Sequence, residues 1–337
     1  MKALVYTAPR QIAIRDIASP TAAEGQAMLS LRYCGVCGTD IGIWSGTHPR
    51  AAAPLVLGHE FIGQVDGTST RFATGTRVVA YPLFSCGSCH PCRTGSPHIC
   101  TQLRLIGIDG DGGMAEQLAV DENLLFAVPD NLDDKTATLI EPLAVAVRAV
   151  EQSALRVGDS VLVLGAGPIG LLTATVARHA GAAQVCVSDI NPARLQLAEA
   201  LGFIPLDASE ENVAERVSRD TAGDGVDVTF ECAGVAPAVV DALAATRPGG
   251  TICLASLHKG MSPLPLLDVA FKELRIVGSR VYTREQFRRS IPLASELAGQ
   301  LALLITRTVP LSGAHTVFDD MVAPVACDIK TLIDCTN

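Results

Sequence analysis

Residues 160–170 read SVLVLGAGPIG, and this stretch decides the fold of the second half of the chain. The apolar run 160–164 is typical of a buried strand, and a G-x-G-x-x-G pattern follows it directly. Such glycines permit a tight turn and a close approach of the backbone to a pyrophosphate, whose charge then meets the N-terminus of the next helix. The alternative is a glycine turn in an α/β fold that binds no nucleotide. The residues predicted to contact the cofactor are Gly165, Gly167, Pro168, Ile169 and Gly170.

An acidic residue at the end of the next predicted strand bears on the choice of cofactor. Asp189 lies 19 residues after Gly170, where its carboxylate can accept hydrogen bonds from both hydroxyls of the adenosine ribose. A 2′-phosphate would be repelled there, so the sequence favours NAD over NADP. Arg194 offsets this preference if its side chain turns toward the phosphate position; otherwise it is a solvated charge on a helix.

Strand and helix patterns alternate from about Val157 onward and predict a doubly wound parallel sheet. The first 150 residues instead carry short apolar runs broken by Gly and Pro, as a β-rich domain would. We expect the boundary between the two domains at 148–158. The elements expected in the second domain are helices over 168–180 and 192–201 and strands over 160–164, 184–189, 226–231 and 251–255.

Four cysteines lie close together in the first half of the chain, at Cys86, Cys89, Cys92 and Cys100. Their spacing brings four thiolates onto one lobe, at about 84–102, where they can meet at a tetrahedral zinc. Four sulfurs leave no open position, so this zinc would be structural. An iron–sulfur cluster or disulfides are the alternatives, although a ferredoxin pattern would place the fourth cysteine about three residues on and follow it with proline.

A second set of metal-binding side chains precedes this lobe. Cys37 in GVCGTD and His59-Glu60 in GHE offer a thiolate, an imidazole and a carboxylate. These mixed donors are expected of a catalytic zinc that keeps one position for water or substrate. Taken singly, such a cysteine is most often a core residue and such a histidine a hydrogen-bonded one, so the prediction depends on their occurring together.

Composition restricts the functions open to the chain. A chain of 337 residues with 48% hydrophobic content can bury two cores, and a formal charge of −9 argues against nucleic-acid binding. The start, MKALVYTAPR, does not resemble a secretory signal, and the uncharged run 160–177 is interrupted by glycines, so no membrane span is expected. In the cytoplasm, the expected location, eleven cysteines indicate metal rather than disulfides.

Five motifs together resemble the zinc-dependent medium-chain dehydrogenase/reductase family over nearly the whole chain. Within that family the polyol (sorbitol), 2,3-butanediol and threonine dehydrogenases are the most similar branch, and residues 278–284 favour the butanediol and sugar-alcohol members. The motifs, in chain order, are Cys37-Gly38-Thr39-Asp40, Gly58-His59-Glu60, the four-cysteine lobe, Glu141-Pro142-Leu143-Ala144 and the glycine turn.

The resemblance implies a fold and a reaction. A GroES-like catalytic domain is expected over 1–150, completed by 290–337, with a Rossmann NAD-binding domain over 151–289. The reaction implied is hydride transfer from a secondary alcohol, such as a polyol, sugar alcohol or sugar acid, to NAD⁺, which gives the ketone. Two zinc ions per chain, a small-molecule alcohol substrate, no nucleic-acid or membrane partner and a homo-oligomer, dimer or tetramer, complete the expectation.

The resemblance also implies roles for individual residues. Cys37 and His59 would ligate the catalytic zinc, whereas Glu60 is a direct ligand in polyol-type members and a neighbour in others. Glu141 matches a carboxylate that approaches the zinc directly or through water.

Proton release is where the chain departs from many relatives, which carry a histidine at the position of Gly42. We therefore expect Thr39 to take the substrate's hydroxyl proton. His48 or the nicotinamide ribose would complete the path, although an ordinary loop histidine is the simpler interpretation of His48.

The sequence does not decide which substrate is bound, and it leaves two other classes of protein as alternatives. A zinc-free reductase would lack both zinc donor sets, and a regulatory zinc protein would bind NAD without turnover. Possible pocket residues, each equally open to a structural interpretation, are Ile43, Trp44, Arg280, Tyr282 and Arg284. The histidines and cysteines interpreted as packing or surface residues are His90, His98, His179, His258, His315, Cys34, Cys186, Cys232, Cys253, Cys327 and Cys335.

Overall fold

The computed structural model describes residues 1–67, 69–258, 260–262, 264–323 and 328–336. The chain forms two compact units: Met1–Glu141 with Thr283–Asn337, and Pro142–Tyr282. In the described part of the chain, no helix has the length and apolar character needed to cross a bilayer. Cys327 lies outside the described residues.

Strands often follow one another directly in the first unit, whereas strands and helices alternate in the second. The strands are β1 Lys2–Ala8, β2 Gln11–Asp16, β3 Gln26–Gly35, β4 Leu55–Val56, β5 Glu60–Asp66, β6 Arg77–Ala80, β7 Leu83–Phe84, β8 Arg104–Leu105, β9 Gln117–Asp121, β10 Leu125–Ala127, β11 Ser160–Leu164, β12 Gln184–Asp189, β13 Ile204–Asp207, β14 Val226–Glu231, β15 Thr246–Leu254, β16 Arg275–Gly278, β17 Ile305–Pro310 and β18 Lys330–Asp334. The helices are α1 Gly38–Trp44, α2 His90–Arg93, α3 Asp134–Ala137, α4 Ile140–Ser153, α5 Pro168–His179, α6 Pro192–Ala200, α7 Val213–Asp220, α8 Ala236–Ala245, α9 Leu266–Phe271, α10 Arg284–Glu296, α11 Ala298–Leu304 and α12 Val317–Met321.

The first unit is built on sheets whose strands are mostly antiparallel, although β17 and β18 pair in parallel. Its larger sheet has the strand order β10-β6-β5-β3-β18-β17, with β9 also paired to β3, and a smaller sheet has the order β2-β1-β4. Strand β18, near the end of the chain, pairs with β3 in the middle of the larger sheet. The last described residues are therefore part of the same sheet that carries β5.

The second unit is a parallel sheet with the order β13-β12-β11-β14-β15-β16. Apolar side chains of β11, β12, β14 and β15 are buried in it, as expected for a sheet covered on both faces. The predicted strands and helices of this unit are confirmed. Two helices and one strand end one residue earlier than expected, and the larger difference is that β15 begins at Thr246 rather than at 251. The earlier start includes Gly249, whose φ of 73° is left-handed, and the pairing with β14 is irregular there.

The unit boundaries differ from those expected from sequence. The first falls between Glu141 and Pro142, inside α4, and not at 148–158. The second falls between Tyr282 and Thr283, where the Thr283 hydroxyl caps α10, and not at 289. A helix that continues across a domain boundary leaves no break in composition. The boundary expected from sequence was therefore placed near the end of α4 instead of inside it.

Two glycines of the turn between β11 and α5 provide a matched test of the fold. A methyl group at Gly170 would collide with the carbonyl oxygen of Gly165, whereas one at Gly167 would meet nothing within 4 Å. We expect Gly170→Ala to lower the free energy of unfolding by about 1–3 kcal/mol, because overpacking displaces the helix from the strand. Gly167→Ala, with φ −74°, should leave it unchanged. Urea unfolding without cofactor measures both, and equal losses would contradict the packing argument.

Candidate functional sites

The four cysteines of the lobe meet at one point. Their sulfur atoms lie within 4.8 Å of one another, and the Sγ of Cys89 is 3.4 Å from that of Cys92 and 3.7 Å from that of Cys100. All four are free thiols, since these separations exceed a covalent S–S bond. A convergent set of four sulfurs fits a closed tetrahedral zinc.

Backbone amides support negative charge on the sulfurs of the lobe. The N–H of Cys89 donates to the Sγ of Cys86 at 3.4 Å, and the N–H groups of Cys86 and Gln102 donate to the Sγ of Cys100 at 3.3 Å. Amides of Ser88 and Cys89 lower the pKa of Cys86 to about 6. The amides thus favour the thiolate form of Cys86 that a metal requires, whereas desolvation and the neighbouring Cys89 raise the pKa of Cys92 to about 11.

A second donor set lies in the first unit, where α1 begins near the start of β5. Cys37 precedes the first turn of α1, and His59 and Glu60 stand at the entry to β5. Donor atoms of these three side chains lie within 4.8 Å of one another, and both His59 and Glu60 are buried. The structure therefore brings together the thiolate, imidazole and carboxylate predicted from two distant motifs.

Asp40 binds the start of α1 and lies beside His59, although no role was expected for it from the sequence. One oxygen, Oδ2, accepts from the N–H of Cys37 at 2.8 Å, and the other, Oδ1, lies 4.0 Å from the Nδ1 of His59. Both Oδ1 and Nδ1 are buried and otherwise unpaired. A carboxylate facing Nδ1 orients the ring so that its other nitrogen points to a metal. An acid at the third position of a helix is a usual capping signal and could have indicated the contact.

The charges of the centre are coupled to one another. Burial acts to lower the pKa of His59, but the neighbouring Cys37 thiolate, Asp40 and Glu141 raise it well above its ordinary value. Burial likewise acts to lower the pKa of Lys330, but Glu60, with Cys37 and Glu141, raises it. Both shifts have their cause in the negative groups gathered at the centre, which suit a bound cation.

Lys330 is a further residue that the sequence did not reveal. Its Nζ donates to Oε1 and Oε2 of Glu60 at 3.0 and 2.6 Å and to the carbonyl of Val36 at 3.1 Å. Both charged side chains are 2% exposed. Gly35 is required beside them, because a Cβ at that position would collide with the Glu60 carboxylate.

The two side chains predicted for the proton path, Thr39 and His48, lie at the start of α1 and in the loop after it. Thr39 is half-buried in the first turn of α1, two residues after Cys37. The carbonyl of Gly42 ends the helix by accepting from the N–H groups of Thr47 and His48. The Nδ1 of His48 accepts from the N–H of Ala51 at 3.2 Å, so the structure supports its interpretation as a loop histidine.

The glycine turn lies between β11 and α5 in the second unit. Gly165 has φ +102°, and a side chain there would collide with the backbone at Ala233. Gly167 precedes α5, whose first amides have no side-chain cap, with Pro168 at its start. An open turn facing an uncapped twelve-residue helix fits an anionic pyrophosphate.

Asp189, at the end of β12, is tied to that turn. Its Oδ2 accepts from the N–H of Ala166 at 2.7 Å, and its Oδ1 accepts from the N–H of Asn191 at 2.9 Å. Each oxygen keeps one lone pair, enough for a ribose hydroxyl. The Nη1 of Arg194 lies 3.7 Å from Oδ2, so the arginine predicted as a solvated charge is instead paired with this carboxylate.

A buried carboxylate also ends β14, at the same edge of the sheet. Glu231 is fully buried and accepts from the N–H groups of Ala233 and Gly234 at 2.9 and 2.7 Å. Its Oε2 contacts the hydroxyl of Ser256 and lies 2.9 Å from the Nε2 of His258. His258 is therefore part of a network that fixes the segment after β15, and not merely a surface residue.

The predicted pocket residues are mostly structural. Trp44 is buried against Phe318, with ring centroids 6.1 Å apart, and Ile43 and Tyr282 are buried as well. The guanidinium of Arg284 lies 4.8 Å from the ring centroid of Phe126. The packing of these four side chains supports the structural interpretation that the sequence left open. Arg280 and Arg284 are the exposed members of this group.

The remaining cysteines of the described residues, where a raised pKa is found, behave as packing residues. Burial raises the pKa of Cys186 to about 11 and that of Cys253 to about 12. Cys34 and Cys335 are also buried, with raised pKa values of the same cause. Such thiols are poor nucleophiles and poor metal ligands.

Comparisons with known proteins agree with this arrangement. The alcohol dehydrogenase GroES-like domain matches residues 23–130, and the zinc-binding dehydrogenase family matches residues 168–296. These matches confirm the GroES-like character of the first unit and the Rossmann-like character of the second.

Individual relatives match over nearly their whole length. A 2-dehydro-3-deoxy-L-galactonate 5-dehydrogenase of Pseudoalteromonas atlantica is 34% identical, covering 92% of each chain. An L-threonine 3-dehydrogenase of Alteromonas mediterranea is also 34% identical, covering 95% of this chain and 96% of its own. A candidate zinc-binding dehydrogenase of Sinorhizobium meliloti 1021, solved with NADP bound, has a TM-score of 0.92 at 32% identity, covering 99% of this chain and 98% of its own. The chain thus belongs to the zinc-dependent medium-chain dehydrogenase family.

Proposed function

We propose that the protein oxidises a secondary alcohol to the ketone with NAD⁺ as hydride acceptor, using one of two zinc ions per chain. The observation that carries the proposal is the buried cluster of Cys37, His59 and Glu60, whose three different donors suit a catalytic zinc. A zinc bound there would act as a Lewis acid and lower the pKa of the substrate hydroxyl by several units. The four-cysteine lobe would hold the second, structural zinc.

Each side chain of the centre has a proposed task. Cys37 and His59 bind the metal, and Asp40 fixes the ring of His59. Glu60 and Glu141 supply further carboxylates close to the metal position. Both raise the pKa of Lys330, and Glu141 also raises that of His59. Thr39 accepts the hydroxyl proton of the substrate, because it lies two residues from Cys37 and because Gly42 stands where many relatives carry a histidine.

The second unit would bind the cofactor. The turn with Gly165, Gly167 and Gly170 and the first turn of α5, with Pro168 and Ile169, face the pyrophosphate, and Asp189 binds the adenosine ribose. The bound nicotinamide supplies the hydride-accepting carbon. NAD is favoured because Arg194, the nearby cation, is paired with Asp189 and so is less available to a 2′-phosphate.

The substrate class proposed is a polyol, sugar alcohol or sugar acid. The relative from Pseudoalteromonas atlantica acts on a sugar acid by name, which supports this class. The L-threonine 3-dehydrogenase supports the alternative, oxidation of a hydroxy amino acid. A 2,3-butanediol-type diol is the remaining alternative, suggested by residues 278–284.

We also propose a homo-oligomer, a dimer or a tetramer, in the cytoplasm. Around α9, apolar side chains are strongly exposed, with Leu257 81% and Phe271 80% accessible. Strand β16, next to this surface, is an edge strand that pairs only with β15 in the described sheet. An apolar patch beside an open edge favours association with a second copy.

Metal content tests the two zinc sites. We expect elemental analysis to find two zinc ions per wild-type chain and one in Cys37→Ala, because that variant loses a catalytic ligand. Cys34→Ala, a buried cysteine of the same region, is the matched control and should keep two. Cys89→Ser should lose the other ion and melt at a lower temperature, since a structural zinc contributes its binding energy to folding. An unchanged count in Cys37→Ala would refute the assignment.

Turnover tests the function. NADH formation, followed at 340 nm over polyols, sugar acids, 2,3-butanediol and L-threonine, should be found with at least one class and be lost in Cys37→Ala. Cys34→Ala should retain it. Bound NAD without turnover on any of these would favour the regulatory zinc protein instead.

The cofactor preference depends on a pair and not on one residue. Asp189→Asn keeps an acceptor for the N–H of Ala166 but removes the charge and releases Arg194. We expect the ratio of kcat/KM for NAD over NADP to fall by at least about tenfold, equivalent to ~1.4 kcal/mol. Adding Arg194→Gln should abolish the gain with NADP. A wild type that already prefers NADP would show the assignment to be wrong.

A further inference from the structure

Glu231, at the end of β14, is a buried carboxylate whose acceptor positions are all occupied. Its Oε1 accepts from the N–H groups of Ala233 and Gly234 at 2.9 and 2.7 Å. Its Oε2 is bound by the hydroxyl of Ser256 and lies 2.9 Å from the Nε2 of His258. An ionised carboxylate can only accept hydrogen bonds, so the Nε2 of His258 carries the hydrogen of that contact.

The second ring nitrogen of His258 extends this network. With the hydrogen on Nε2, the Nδ1 of the neutral ring is an acceptor, and the hydroxyl of Ser262 lies 3.0 Å from it. The side chain of His258 is 19% exposed, whereas that of Glu231 is fully buried. His258 therefore joins a buried carboxylate to the segment that follows β15.

This segment is attached to β14 first by the backbone and then by side chains. β15 ends at Leu254, and the N–H of Ala255 donates to the backbone carbonyl of Glu231 at 2.9 Å. Ser256 and His258, which come next, are bound to the carboxylate of Glu231 through their side chains. A single substitution can remove such a contact, and a segment that loses it gains conformational freedom.

The other partners of Glu231 lie against the glycine turn. A Cβ at Gly165 would stand 2.9 Å from the backbone nitrogen of Ala233. The N–H of Cys232 donates to the carbonyl of Leu164 at 2.8 Å. The strand order of the parallel sheet reverses between β11 and β14, and in such sheets ligands bind beyond the carboxyl ends of the strands at that point. The carboxylate therefore binds two segments at the edge where we propose that the cofactor lies.

We propose that His258 is a positioning residue for the cofactor: through Glu231 it holds the segment after β15 in the arrangement in which NAD is bound. The inference rests on the proposed function, since it requires NAD at the glycine turn. A segment that is ordered before binding has less conformational freedom to lose, so the cofactor binds more tightly. Without the Nε2 contact the segment would become ordered only when NAD binds, and the Kd would rise.

A purely structural pair would behave differently. If Glu231 and His258 only stabilised the parallel sheet, removing their contact would lower the free energy of unfolding and leave the affinity of the folded chain for NAD unchanged. The Kd, measured far below the unfolding transition, therefore distinguishes the two roles.

The experiment measures NAD binding to the full chain by isothermal titration calorimetry, without an alcohol substrate. We expect the Kd to rise about tenfold in His258→Leu, because this variant loses the hydrogen bond to a charged acceptor. His258→Gln should stay within about twofold of the wild type, because its amide nitrogen can take the place of Nε2 and donate to Glu231.

Two further variants complete the design. His179→Leu, the matched control, removes an exposed histidine from the last turn of α5 in the same unit and should keep the wild-type Kd. Glu231→Gln changes the other partner of the contact. Because both residues act through one contact, the double variant His258→Leu/Glu231→Gln should bind NAD no more weakly than the weaker of its two single variants.

Four results would overturn the inference: a Kd in His258→Leu within about twofold of the wild type, an equal loss in His258→Gln, an equal loss in His179→Leu, or additive losses in the double variant. Should His258→Leu fail to fold, His258→Asn takes its place, because its amide nitrogen ends near the position of Nδ1 and does not reach Glu231. A wild type that binds no NAD would instead refute the proposed function, before any variant of His258 is compared.

Discussion

The ion pair between Lys330 and Glu60 is the interaction on which the candidate metal centre depends. Both charges are almost fully buried, and removing one partner of such a pair typically costs ~3–5 kcal/mol because the other charge is left alone. The pair also joins β18 to β5, so the end of the chain becomes part of the centre. Around it lie the negative groups Cys37, Asp40 and Glu141, whose charges a bound zinc and Lys330 would balance together.

One carboxylate also has two roles at the edge of the second unit where we propose that the cofactor binds. Asp189 serves the fold by accepting from the N–H of Ala166, and each of its oxygens keeps a lone pair for a ligand. Arg194 stands close enough to be neutralised by it. The shape of the glycine turn and the proposed choice between NAD and NADP therefore depend on the same carboxylate.

Much of the second unit was predictable because its signals are local. The strands before and after the glycine turn are short apolar runs, and Asn191 caps α6 by accepting from the N–H groups of Ala193 and Arg194. The boundary at Glu141 was not predictable, since α4 continues through it. Only the tertiary contacts of its residues assign the start of this helix to the first unit and the rest to the second. The surroundings of Trp44 were not predictable for a related reason: the sequence shows an aromatic ring near a motif but not the Phe318 ring that packs against it.

The sequence by itself determined the donor sets, because Cys86 to Cys100 and His59-Glu60 are close in the chain and their chemistry follows from residue type. Only the tertiary structure decided what surrounds them. Lys330 and Glu60 are 270 positions apart in the sequence. A lysine in a strand is ordinarily exposed, so no local sequence pattern predicts that this one is buried. The partner of a buried charge is set by how strands far apart in the chain pair, which spacing alone does not encode.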